Sequence, residues 1–306
     1  MKTYRYTLKP LGPWATPWDA DTIFAALCWQ VLASPGAAGL ADFLAAYREG
    51  KPPFVISSAF PEGWLPCPLS ASVTELADSN VKRKRPVLVP EDQFRTLITG
   101  HGEIVPTIKP FPEPVRSGTR LHAAIDRVSG TTGGEGNLFQ VDEWFLDKSL
   151  AQNMSLFVKV ETGPEQFSNL LNRLSQEGLG KKRSTGRGAF QVIGEPVACE
   201  WMDATEGANG FVSLSPFIPA PDNPRDGRWS LIVKYPKFSP QADVSHPFKG
   251  RMVMFRPGST FHGDNPIQAF YGQMIQGLTA EFSQAVHYAL AFAVPIRWPE
   301  SPQSAF

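Results

Sequence analysis

The order of apolar patterns along this chain predicts an α+β fold of two small units, the second reduced, with a large insertion in the first. Three observations carry that prediction. Residues 1 to 60 and residues 155 to 193 each read as strand, helix, strand. Past residue 200 the pattern turns mostly to strands. A chain of 306 residues with 42% hydrophobic content has enough apolar material for one large or two ordinary domains.

Thr3 to Lys9 alternates Tyr4, Tyr6 and Leu8, which is a strand pattern. After Pro10, Pro13 and Pro17, Asp19 or Asp21 caps a helix running to about Ser34. Its apolar face is Ile23, Phe24, Leu27, Cys28, Val31 and Leu32. A short helix from Leu40 to Glu49 ends at Gly50, and Phe54 to Phe60 is a strand candidate. Residues 61 to 153 carry no clear periodicity and read as an elaborate insertion. Ser155 to Val160 is a strand, and Pro164 suits the first turn of a helix. Phe167, Leu170, Leu171 and Leu174 form the buried face of that helix, Gly178 ends it, and Ala189 to Ile193 is the next strand. This order is the ferredoxin-like split βαβ arrangement, the topology of the RNA-recognition module. Further strands at Phe211–Leu214, Trp229–Tyr235, Met252–Phe255 and Tyr288–Val294 suit a second, reduced copy. The expected domains are thus 1–200, with the insertion at 61–153, and 201–306.

Composition restricts the function classes. Twenty-nine basic and 29 acidic residues cancel, whereas a free-standing nucleic-acid binder is usually basic. Any RNA contact is therefore local or shared with other subunits. The 29 prolines are about twice the usual ~5% and imply many loops and extended connections. Cys28, Cys67 and Cys199 are odd in number and widely spaced, which suggests neither a disulfide framework nor a zinc site. The start lacks the apolar core of a signal peptide, and no run of 18 apolar residues occurs. A cytoplasmic protein with no membrane span, no metal and no cofactor is expected.

The densest motif is Gly178 to Phe190, with Gly178, Gly180, Gly186 and Gly188 among Lys181, Lys182, Arg183 and Arg187. Glycines let a backbone turn sharply and approach a ligand closely. The cations match phosphates, and Ser184 and Thr185 add hydroxyls. It is not a Walker A loop: Ser175 stands at the first Gly position, and Lys182 where Ser or Thr is required. It is not a dinucleotide fingerprint either, because Arg183 holds the third Gly position and the helix precedes the strand. From residue types alone the loop is either a nucleic-acid grip or a solvated charged turn. In the first reading the backbone N–H groups of Gly186 and Gly188 face phosphates.

An ordered set of motifs resembles a known family. It comprises Leu8-Lys-Pro-Leu-Gly-Pro-Trp-Ala-Thr-Pro17, Asp21-Thr-Ile-Phe-Ala-Ala-Leu-Cys-Trp29, Ile56-Ser-Ser-Ala-Phe-Pro61 and Ile125-Asp-Arg127. The basic loop, Leu214-Ser-Pro-Phe-Ile-Pro219 and Ala291-Phe-Ala-Val-Pro295 complete it. Together they resemble RAMP subunits of type III CRISPR effector complexes, nearest the subunit-four type of subtype III-A. The resemblance implies two RAMP-type ferredoxin-like domains in a non-catalytic subunit holding the 5′ repeat-derived handle of CRISPR RNA. It also implies as partners the guide, the large polymerase-like subunit, the backbone RAMP subunit and, indirectly, target RNA. Where the family often has Tyr in the glycine loop this chain has Arg187, which would turn a stack into a phosphate contact.

Other candidates each have two readings. Arg116, Arg120, His122 and Arg127, with Ser129 to Gly136, resemble the thumb-like hairpin of RAMP subunits; alternatively Asp126-Arg127 is an internal salt bridge. Lys82 to Arg85 either tracks phosphates or is a solvated loop. Trp14 and Trp18 either stack on bases or cover core edges. Lys249, Arg251 and Arg256 are weaker candidates. The five histidines show no metal-ligand spacing, and no G-x-S-x-G elbow occurs. The chain is therefore expected not to be an enzyme. The alternative is a metal-independent RAMP endoribonuclease that pairs His122 with a loop lysine.

Overall fold

In the computed structural model the described residues are 1–34, 39–73, 86–101, 103–104, 112–132, 138–238, 245–263, 266–279 and 285–298. Lys82 to Arg85 and the end of the 129–136 run lie outside them. The chain begins with β1 (Lys2–Pro10), α1 (Ala20–Leu32), α2 (Leu40–Arg48), β2 (Phe54–Ile56) and β3 (Phe60–Pro61). The inserted stretch holds β4 (Trp64–Pro66), β5 (Ser72–Val73), β6 (Leu88–Pro90), α3 (Glu91–Ile98), β7 (Glu103–Ile104), β8 (Val115–Ala123) and β9 (Leu138–Leu146). β10 (Met154–Val160), α4 (Glu165–Glu177) and β11 (Phe190–Ala198) complete the first sheet. Beyond it run β12 (Gly210–Ser213), β13 (Gly227–Arg228), β14 (Leu231–Lys234), β15 (Met252–Phe255), β16 (Thr260–His262), β17 (Phe270–Ile275) and β18 (His287–Ile296).

The first sheet has the order β11-β1-β10-β2, with β3 also on β10, and every neighbouring pair is antiparallel. Alternation in β1 sends Tyr6 and Leu8 to one buried face. The Tyr6 ring lies 5.1 Å from Phe167 of α4, which also meets Phe54 at 5.0 Å. The predicted inner face of α4 is buried as a whole, and Gly178 ends the helix at φ +77°. The face of α1 is narrower than expected. Cys28 is half-buried and Leu32 is 57% exposed, because the contacts with α4 and β18 cover only the stripe through Ile23, Phe24, Leu27 and Val31. Asp19 stands at the N-cap without a side-chain capping bond; its carboxylate is engaged elsewhere.

The second sheet runs β13-β16-β12-β18-β17, also antiparallel throughout, and β14–β15 forms a separate ribbon. Among the described residues beyond 202 there is no α-helix. All ten residues of β18 and all seven of β10 are buried, so both strands are covered on both faces. Tyr288 stacks on Phe24 at 4.6 Å, and its hydroxyl accepts the Ile56 amide at 3.1 Å. One apolar cluster runs from Tyr6 to Ile296 and joins the two sheets. The second sheet also has a cluster of its own, Phe211, Phe217, Phe261, Tyr271, Ala291 and Ala293.

The insertion is more than an appendage. Leu65, Cys67, Val89, Phe94, Leu97, Ile98 and Ile104 join the main core, while β8–β9 projects as a long exposed hairpin. The expected strand 54–60 is broken in two, and its buried Ser57 and Ser58 bond across the break to Phe157 and Leu214.

Candidate nucleic-acid interface

The 178–188 loop is built by its own hydrogen bonds. Leu179 N–H donates to Gly188 O at 2.9 Å, Gly188 N–H to Pro13 O at 3.0 Å, and Lys181 N–H to Thr16 Oγ1 at 3.0 Å. Gly186 N–H donates to Arg183 O at 2.9 Å, which closes a 3-10 turn over Arg183–Thr185. The expectation that the Gly186 and Gly188 amides face phosphates is therefore corrected, since both donate within the protein. The glycines also divide. A Cβ at Gly188 would stand 1.9 Å from Leu179 O, and one at Gly180 would stand 2.8 Å from Thr16 Cβ. A Cβ at Gly178 would meet Gly188 O at 3.1 Å, whereas Gly186 faces open space. Three of the four thus close the loop against the protein, and only Gly186 leaves room for a ligand. Lys182, at φ +63°, is the single positive-φ non-glycine residue among the described residues.

The loop cations divide in the same way. Arg183 pairs with Glu177 at 3.2 Å, and Arg187 Nε donates to Glu143 Oε1 at 2.7 Å. The idea of Arg187 as a phosphate ligand is corrected accordingly, because its head is fixed on a buried carboxylate. Lys181 and Ser184 are exposed, and Lys182 lies exposed with its Nζ 4.9 Å from the Phe139 ring. The Thr185 hydroxyl donates to Lys182 O.

The hairpin strands β8 and β9 pair over nine residues, Val115–Leu146 to Ala123–Leu138. Arg116 bonds Asp147, and Arg120 Nε lies 3.8 Å from Glu143 Oε2; both arginine side chains remain over 60% exposed. His122 stacks on Phe139 at 5.5 Å. Arg127 is exposed at the tip. The Asp126–Arg127 salt-bridge reading does not hold, because Asp126 Oδ1 accepts the amides of Val128 and Ser129 and shapes the turn itself. Leu121, Ile125 and Val128 leave the distal end apolar and open. Hairpin and loop adjoin: Trp14 and Trp144 exchange backbone hydrogen bonds of 3.0 and 2.8 Å. Trp14 and Trp18 themselves are 3% exposed and 5.3 Å apart, so they are core and not base-stacking platforms.

The ribbon β14–β15 is fixed differently. Lys234 Nζ reaches Asp19 Oδ2 at 2.9 Å and also Asp21, while His287 Nε2 lies 3.3 Å from Asp21. Burial would raise the Asp21 carboxyl, but the His287 and Lys234 contacts outweigh it and hold it at about 2. On the outward face Trp229, Leu231, Val233, Tyr235 and Val253 are all exposed, beside Arg251 and Arg256. Lys249 donates inward to Val286 O. Glu143, Phe139 and Trp144 were missed from the sequence. The one available signal was the β-prone run 138–146, hidden within the stretch read as irregular.

No cluster of potential metal ligands occurs among the described residues, and no described helix is long and apolar enough to cross a membrane. The mixed fold is similar along almost the whole chain to chains of solved CRISPR assemblies. A chain of the crystal structure of the Csm1–Csm4 cassette with AMPPNP matches at a TM-score of 0.60 and 18% identity, over 98% of this chain and 100% of that one. A chain of the Csm3–Csm4 subcomplex of the type III-A interference complex matches at 0.55 and 13%, over 96% and 99%. In sequence, the chain is similar to the CRISPR system Cms protein Csm4 of Streptococcus thermophilus. The two are 26% identical over 293 residues, covering 91% of this chain and 89% of that protein. No family model matches. The resemblance to the subunit-four type of subtype III-A, read from the ordered motifs, is upheld.

Proposed function

We propose that this chain is a non-catalytic RNA-binding subunit of a type III-A CRISPR interference complex in the cytoplasm. It grips the 5′ repeat handle of CRISPR RNA and bridges the large polymerase-like subunit to the backbone RAMP filament. The observation that carries the reading is the likeness to Csm4 over nine-tenths of the chain. The sheet order supports RAMP-type ferredoxin-like architecture, since β1, β2, β10 and β11 lie in the order fourth, first, third, second. The strand-only second sheet is then a reduced copy.

On this reading Lys181, Lys182 and Ser184 contact the handle at the open side of Gly186. Arg116, Arg120 and Arg127 carry the contact surface out along the hairpin, whose apolar end abuts the guide–target duplex. The exposed apolar face of β14–β15 suits docking of a protein partner, because contiguous apolar patches rimmed by polar groups mark such sites. The endoribonuclease alternative has one observation in its favour: His122 and Lys182 meet on the same Phe139 ring.

The test is purification of a tagged copy from its host. The expected result is co-purification of the large and backbone subunits with guide RNA bearing a 5′ repeat handle, and no cleavage of repeat RNA by the isolated chain. A copy that brings down no RNA refutes the reading, and cleavage abolished by His122→Ala replaces it with the endoribonuclease.

A further inference from the structure

Glu143 is the one fully buried residue on the two strands of the β8–β9 hairpin. A hairpin that merely packed against the body would bury an apolar side chain at that point. Burying a carboxylate costs desolvation that its ion pairs offset only when the geometry is tightly set. What the arrangement supplies is direction. The Arg187 guanidinium is planar, and it spans Glu143 Oε1 at 2.7 Å and the Thr185 carbonyl at 3.1 Å. It therefore links the hairpin to the 3-10 turn of the glycine loop. Arg120 approaches the other Glu143 oxygen from β8. The adjacent Trp14–Trp144 backbone pair and the Lys182–Phe139 contact lie along the same seam.

We propose that Glu143 is a positioning residue which, through Arg187, sets the pitch of the hairpin over the 178–188 loop, so that both present one continuous surface to a single RNA strand. This rests on the RNA-binding reading above. Arg187 and Glu143 touch no RNA themselves; they fix the angle between the two elements that do.

The experiment uses the full chain, free and assembled with its host's large and backbone subunits and guide RNA. Variants are Glu143→Gln and Arg187→Lys, the second keeping the charge opposite Glu143 but losing the planar fork that spans Glu143 and the Thr185 carbonyl. In the free chain, Glu143→Gln should raise hydrogen exchange at the Trp144 and Gly188 amides by about tenfold, which corresponds to removing roughly one charged hydrogen bond. In the complex it should shorten the guide-RNA stretch protected from hydroxyl radicals, with the hairpin end exposed and the loop end still protected. Arg187→Lys should show both effects. Faster exchange with a full-length footprint overturns the proposal, as does unchanged exchange in Glu143→Gln or a wild-type footprint in Arg187→Lys. If Glu143→Gln does not fold, Arg187→Lys alone decides by the same two readouts. A wild-type complex with no footprint at all is a different failure: it refutes the RNA-binding reading and takes this inference with it.

Discussion

Replacing Gly188 and Gly186 in parallel by alanine separates closure of the loop from contact with a ligand. Both have positive φ, +71° and +77°, and a left-handed non-glycine residue costs roughly 1–2 kcal/mol. At Gly186 that is the whole cost, since nothing lies within 4 Å of the added carbon. At Gly188 the carbon would stand 1.9 Å from Leu179 O, so the two segments must part. Parting them breaks Leu179 N–H to Gly188 O and Gly188 N–H to Pro13 O, each worth about 1 kcal/mol. Gly188→Ala should therefore cost about 3–4 kcal/mol. With an unfolding entropy of about 2.1 cal/mol/K per residue, this chain should melt roughly 5–6 °C lower, against roughly 2–3 °C for Gly186→Ala. Thermal melts followed by circular dichroism at fixed concentration measure both. The reasoning is refuted if Gly188→Ala melts with wild type, or if Gly186→Ala is the more damaging. Gly186→Val extends the comparison to function: the protein should fold yet bind guide RNA more weakly even at low salt, because the obstruction is steric.

Two further expectations follow from the charges. Lys181→Ala with Lys182→Ala should flatten the salt dependence of RNA affinity, by about 0.7 in log–log slope for each single-strand phosphate that the variant no longer neutralises. Arg183→Ala, whose guanidinium already pairs with Glu177, should change the slope less, and equal effects would contradict the division of the loop cations. Lys159 is buried, donates to Ala293 O at 2.7 Å, and has its pKa lowered by burial from 10.5 to about 8. The penalty on its charged form is then complete below pH 8 and fades as pH rises to 10.5, because the folded state releases the proton first. Lys159→Met should accordingly be more stable than wild type at pH 7. That advantage should shrink by about 3 kcal/mol by pH 10.5, a drop of this size in pKa being worth about that much. A pH-independent difference in Tm would contradict the assignment.

Legibility in the sequence followed local pattern. Tyr4, Tyr6 and Leu8 alternate, Phe167 to Leu174 repeat at helical spacing, and Gly178 stops the helix; all three readings rest on neighbours in sequence, and the structure agrees with each. The inserted stretch was opaque because its elements are short and paired at a distance. β4, ending at Pro66, finds its partner β6 only at Leu88, and β5 and β7 are only two residues each. Lys159 shows the same limit from another side. A lysine within a strand predicts a solvent face, but the second sheet, more than a hundred residues later, covers it. The loop was legible as a cluster of glycines and cations, but not in its internal division, because neither Glu143 nor Thr16 is near it in sequence.

On the RNA-binding reading proposed above, that division reconciles zero net charge with a grip on a polyanion. Charge balance over the whole chain says nothing about where each cation's partner lies. Around the loop, acids take the arginines: Glu177 holds Arg183, Glu143 holds Arg187 and draws in Arg120, and Asp147 holds Arg116. The arginine fork is rigid and bidentate, so a paired arginine fixes geometry as well as charge. Lys181 and Lys182, on flexible stems beside the open Gly186, pair with no carboxylate among the described residues. The acidic residues thus engage the arginines, and the two lysines are the cations that the proposed RNA contact would use. The arrangement makes a directional claim: neutralising Glu143 should weaken RNA binding, although a repulsive charge has been removed. Simple electrostatics predicts the opposite sign, and a measured gain in affinity for Glu143→Gln at low salt would show that its charge matters more than its position.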